Sequence, residues 1–158
     1  MIETFIEHIR FKRKPIPIPA EYRPTYKIAQ IVIILKLTCQ GEKGSLLKLH
    51  LLSWALKSEI NRQELLKFIR SNFKSDLKIW GIEPALNRAL SYAVAEKICI
   101  IEKGKYILTR KGSIFYEQII KDSKILGIEI DFLKQIGKRK ITDNRILALS
   151  KKWELSDD

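Results

Sequence analysis

The chain has little of what reactive or membrane-embedded proteins are built from. Its two cysteines, Cys39 and Cys99, stand apart in apolar stretches and form no CxxC pair, which excludes a zinc knuckle or a dithiol redox motif. Both read as buried thiols of a reducing compartment. The two histidines, His8 and His50, are isolated, and no carboxylate or second histidine stands at helical spacing around His50, so it reads as a packed or surface imidazole rather than a metal ligand. There is no phosphate-cradling Gly-rich loop, no GxSxG and no HExxH. Glu59, Glu64, Asp76 and Glu83 are scattered without a partner that spacing identifies, and Asp157-Asp158 reads as a solvated terminus. No catalytic residue, no metal and no cofactor is therefore expected. The longest wholly apolar run, Ile31 to Leu35, falls far short of the ~20 residues of a membrane-spanning helix, and no signal-peptide pattern opens the chain. The expectation is a cytoplasmic protein without membrane contact. With only seven glycines there is no low-complexity linker, and no internal repeat is visible.

What is present is charge of one sign. Thirty Lys and Arg stand against eighteen Asp and Glu, a net +12 on 158 residues, which favours nucleic acid, an acidic protein or an anionic surface as partner. Apolar residues make up 46% of the chain, enough for one domain with arms.

Ile2, Phe5, Ile6 and Ile9 recur on one helical face too short to be stable alone, and read as a docking arm. A basic run from Arg10 to Lys14 and Pro15, Pro17 and Pro19 then form an extended connector, giving an arm over 1–21. A helix from about Pro24 to Cys39 and a Ser45-capped helix through Leu56 are apolar on more than one face. Ile31, Leu35, Leu51 and Trp54 are accordingly expected to meet another chain, the alternative being two central core helices. Asn61 and Glu64 suggest the cap of a third helix, Leu77 to Ile82 a short extended segment, and Pro84 the start of a helix to about Glu96. Ile98 to Ile101 and Lys105 to Leu108, joined at Glu102-Lys103-Gly104, make a hairpin, and Thr109 caps a helix carrying Phe115 and Ile119. Helices over Glu129 to Ile136 and Arg145 to Leu155 complete a C-terminal extension over 123–158.

Helices, a further helix, a hairpin and a closing helix over 22–122 are the order of a winged helix-turn-helix, so the fold class expected is mostly α with a small β-hairpin. KYILTRKG, Lys105 to Gly112, resembles the junction between wing and helix in such proteins. In that arrangement the helix before the wing enters a DNA groove. Asn87, Arg88, Ser91 and Tyr92 fall on its outward face, and Lys103, Lys105, Arg110 and Lys111 on or just beyond the wing, where they could ride on phosphates or form a merely solvated basic loop.

Three segments carry a resemblance to a family. RPTYKIAQIVIILKLTCQGEKGSLLKLHLLSWALKSEINRQELL from Arg23 to Leu66, GIEPALNRALSYAVAEK from Gly81 to Lys97 and GKYILTRKG from Gly104 to Gly112 resemble the middle component of three-component ABC-ATPase systems, including Lamassu-type antiphage defence. The resemblance implies a small, non-catalytic winged-helix subunit that joins an SMC- or Rad50-like ATPase to an effector, often a nuclease, and holds it until foreign DNA is sensed. It carries no catalytic signature. The alternative expectation is a free-standing winged-helix transcriptional regulator using Asn87, Arg88 and the wing cations.

Overall fold

The computed structural model describes residues 24–75, 77, 83–122 and 124–156, with 152–156 by backbone alone. The arm carrying Ile2, Phe5, Ile6 and Ile9, its proline connector and most of the extended segment Leu77 to Ile82 lie outside the described residues.

Helix α1 (Pro24–Thr38) opens on Pro24, whose fixed φ suits a first helical position. After a single 3-10 turn at Gln40–Glu42 comes a strand that the sequence pattern does not announce, β1 (Lys43–Ser45). Ser45 ends the strand and caps α2 (Leu46–Leu56), its side chain accepting from the Lys48 N–H. The cap of α3 (Glu59–Arg70) is Ser58 rather than Asn61. Ser58 Oγ accepts from the Asn61 N–H at 3.1 Å, so Asn61 is already inside the helix; its side chain instead donates to the Trp54 carbonyl at 2.9 Å and ties α3 to α2.

Helix α4 (Pro84–Ala95) leads into β2 (Cys99–Glu102) and β3 (Lys105–Leu108). The hairpin closes at Lys103 and Gly104, both left-handed at φ 52° and 76°, the conformation a tight two-residue turn demands and one that glycine adopts without strain. Thr109 caps α5 (Arg110–Ile120), as its spacing predicts, and α6 (Gly127–Ile136) and α7 (Asp143–Ser156) follow. The three strands form one antiparallel sheet in the order β1-β3-β2, with Lys43 opposite Ile107 and Cys99 opposite Leu108. The molecule is thus mostly helical with one small antiparallel sheet.

The core is built around α1, which packs against α2, α4, α5 and α6. That is why α1 is apolar nearly all round: it has neighbours on every side. Ile31, Leu35 and Leu51, expected at a surface shared with another chain, are fully enclosed by this chain's own helices. The sequence expectation fails there because it allowed one small domain too little material to cover two apolar helices; α5, α6 and α7 supply the cover. Trp54 remains half-buried at the edge of that core. The C-terminal helices are packed into the same core, with Phe132, Leu133, Ile136, Ile141 and Ile146 all buried in it.

Candidate nucleic-acid interface

Within the core, α4 is held by a polar cluster that decides which of its side chains reach solvent. Lys27, on α1, is 1% exposed and pairs with Glu83 at 3.0 Å. Glu83 sits at the N-cap of α4 and also pairs with Lys57 at 3.5 Å, while Ser53 donates to its carboxylate at 3.4 Å. Burial opposes the Glu83 charge, but the ammonium groups of Lys27 and Lys57 outweigh it and hold the carboxyl below its ordinary range.

His50, on α2, completes the cluster. Its Nδ1 accepts from the Glu83 backbone N–H at 3.2 Å, which leaves the proton on Nε2, 3.1 Å from Asn87 Oδ1. The ring is therefore neutral in the fold, and burial pushes its pKa down, against the opposing pull of Asn87 and Glu83. Neither Lys27 nor His50 could have been assigned this role from spacing, since their partners lie on other helices.

This cluster divides the expected groove-facing residues. Asn87 is half-buried with its carbonyl oxygen committed to His50, so it serves the interior rather than a base edge. Arg88, Ser91 and Tyr92 are exposed on the outer face, Tyr92 at 53%. Ser91 Oγ turns back to the Asn87 carbonyl at 3.2 Å, leaving Arg88 and Tyr92 as the free polar reach of α4.

The hairpin divides its cations in the same way. Lys103 is exposed at the tip, whereas Lys105 is drawn to Asp143 at 3.2 Å. Asp143 also accepts from the Ser45 N–H at 3.2 Å, so the start of α7 is fastened to β1 and β3. Burial works against the Asp143 charge, but hydrogen bonds from Ser45 and Lys105 prevail and its carboxyl lies below the ordinary range. Arg110 and Lys111 occupy the first turn of α5, Arg110 exposed and Lys111 half-buried, beside no acidic residue in that turn. Cations at a helix N-terminus oppose the helix dipole, so both raise the positive potential near the hairpin base.

A second feature of the hairpin is apolar. Strand β2 is one of the two outer strands of the sheet, and Ile100 and Ile101 are 45% and 56% exposed. Their cross-strand partners, Ile107 and Tyr106, are half-buried. The thiols play no part in either feature: Cys39 and Cys99 are both buried, and burial drives the Cys99 pKa up to about 12, which keeps it protonated and unreactive. Among the described residues no cluster of His, Cys, Asp or Glu could hold a metal ion, and no helix is long and apolar enough to cross a membrane. No known protein family, curated protein or solved structure matches the chain.

Proposed function

We propose that the chain is a winged-helix module acting as a non-catalytic accessory subunit of an SMC- or Rad50-like ABC ATPase in prokaryotic antiphage defence, joining the ATPase to an effector nuclease in the cytoplasm. The strand order β1-β3-β2, with α4 running into the β2–β3 hairpin, supports the winged-helix half of the reading. One observation carries the adaptor half: the outer strand β2 offers unpaired backbone and exposed Ile100 and Ile101, an edge that soluble proteins otherwise blunt or cover. A partner strand paired along it would cover one isoleucine on each face of the sheet. With Ile31, Leu35 and Leu51 enclosed in the core, this edge is one apolar surface left for protein contact among the described residues, beside half-buried Trp54 and separate exposed residues such as Ile60 and Ile128. DNA, where it is touched, would be met through its backbone by Arg88, Lys103, Arg110 and Lys111.

The test is co-purification of the tagged full chain with the ATPase encoded beside it, after nuclease treatment. Ile101→Lys should abolish recovery of the ATPase while leaving the circular dichroism spectrum intact; recovery at wild-type level would remove β2 as the contact. A regulator remains the second reading because Arg88 and Tyr92 both stand free on α4. It requires sequence-dependent duplex binding that Arg88→Ala relaxes, and recovery of the protein alone from its host.

A further inference from the structure

We propose that the cleft between β1, the start of β3 and the start of α7 binds an oligophosphate group, the pyrophosphate or triphosphate portion of a small ligand. The cleft encloses about 350 Å3 and gathers Lys43, Lys48, Lys105 and Lys138 around the single carboxylate of Asp143. Gln40, Thr142 and Asn144 complete the lining among the described residues. The chain brings these groups together from opposite ends: Lys43 is on β1, Lys105 on β3, and Lys138 in the turn after α6.

Lys48 carries the argument. It is 3% exposed, and its Nζ donates to the Thr38 carbonyl at 2.5 Å and the Ile141 carbonyl at 2.6 Å. An ammonium has three N–H donors, and both acceptors here are neutral, so the buried charge has dipoles around it and no ion-pair partner among the described carboxylates. The one carboxylate in the cleft is held by Lys105. The field is also felt by the neighbouring Cys39: burial raises its pKa most, while Lys48 and Lys138 both pull it down and Asp143 pushes it up. Burial pushes the Lys48 pKa down, and Asp143, the carboxylate it shares with Lys105, only partly offsets this, so an anion in the cleft would add counter-charge that favours the ammonium. Separated ammonium groups around a small concavity match an anion whose charges lie on successive centres, and lysine recognises phosphate as a point charge. Among the described residues no aromatic or aliphatic side chain lines the cleft, so they offer no wall on which a base could stack. The phosphate chain is what the site reads, with the rest of the ligand outside it.

This inference is independent of the adaptor reading and is tested on the full chain without partners. Calorimetric titration at matched ionic strength would use pyrophosphate, ATP and a short DNA duplex as probes, on wild type and on the Lys43→Gln, Lys138→Gln double variant. Both substituted lysines are exposed, so the fold should hold. The expected result is one-to-one binding of pyrophosphate and ATP, weakened at least tenfold in the variant. Binding of ATP without pyrophosphate, binding of duplex alone, or affinities unchanged in the variant would each overturn it. Should the variant fold poorly, amide chemical shifts of wild type decide: pyrophosphate should move Gly44, Lys105 and Asn144, and changes scattered over the surface would refute the site.

Discussion

Glu83→Gln is the sharpest perturbation this fold offers. It keeps the shape of the side chain and removes the one carboxylate that, among the described residues, pairs with Lys27, whose ammonium is 1% exposed. Breaking a buried ion pair by neutralising one partner costs about 3–5 kcal/mol, because the other charge is left in a medium that solvates it poorly. Here the full range is too large. Glu83 itself is 15% exposed, its second partner Lys57 is 40% exposed, and Ser53 Oγ lies 3.4 Å from Lys27 Nζ and continues to accept from it. A cost of about 2–3 kcal/mol is therefore expected, or roughly 4–12 °C in Tm for a chain of this size. Urea unfolding followed by circular dichroism measures it.

The second half of the reasoning is the rescue. If the loss comes from stranding Lys27, then Lys27→Met in the Glu83→Gln background removes the stranded charge and should restore about half or more of the lost stability, since an apolar pair of similar volume can replace a buried ion pair at little cost. A Glu83→Gln cost below ~1 kcal/mol would mean that Lys27 reaches water more easily than its burial implies. A double variant no more stable than Glu83→Gln would mean that the carboxylate acts through His50 and the α4 cap, not through the charge.

Three further outcomes follow from the same packing. His50 is bound in its neutral form and its folded pKa is lowered, so the unfolded chain takes up the proton first; stability is complete above the ordinary value of 6.5 and falls as pH drops from there toward the folded pKa, a slope that His50→Gln should remove from unfolding curves at pH 5 to 8. Gly112→Ala, a change that stabilises most helices by about 1 kcal/mol, should instead destabilise this one strongly by thermal melt, because a methyl there would overlap the Ile98 carbonyl oxygen and the Leu108 side chain. Thr109→Ala should cost about 1–2 kcal/mol in urea, at the upper end for an N-cap, because Thr109 Oγ1 accepts from the Gly112 N–H at 3.1 Å and also donates to the Lys97 carbonyl at 2.6 Å, joining α5 to the end of α4; Thr109→Ser should retain both bonds.

Features that depend on neighbours in sequence were legible before the structure. Ser45 and Thr109 are caps that work within four residues, and Lys103-Gly104 is a turn whose backbone demands are local. Strand β1 was not legible, because Lys43–Ser45 is too short for alternation and carries a glycine. It is a strand because β3 lies beside it, with Gly44 opposite Tyr106. The division of the candidate site was equally hidden. Asn87 and Arg88 are adjacent and equally polar, and a helical wheel places both outward; only His50, on α2, turns one of them inward.

Lysines inside apolar runs are the signal that could have found the rest. Lys27 in α1 and Lys48 in α2 interrupt segments that are otherwise almost wholly hydrophobic, and the interface reading of both helices, which rested on their apolar residues, gave these two lysines no role. A buried ammonium needs acceptors or a counter-charge, and the two lysines differ in which they have. Lys27 has a carboxylate, and the pair pins α4 against α1. Lys48 has two carbonyls, from Thr38 before β1 and Ile141 before α7, and so joins the first third of the chain to its last helix. Both lysines serve the fold, but Lys27 has a carboxylate at 3.0 Å, whereas burial pushes the Lys48 pKa down and the nearby Asp143 is shared with Lys105. The cleft beside β1, away from the helix that sequence spacing marks for nucleic acid, therefore gathers more lysines than carboxylates, the surplus that the proposed anion would match.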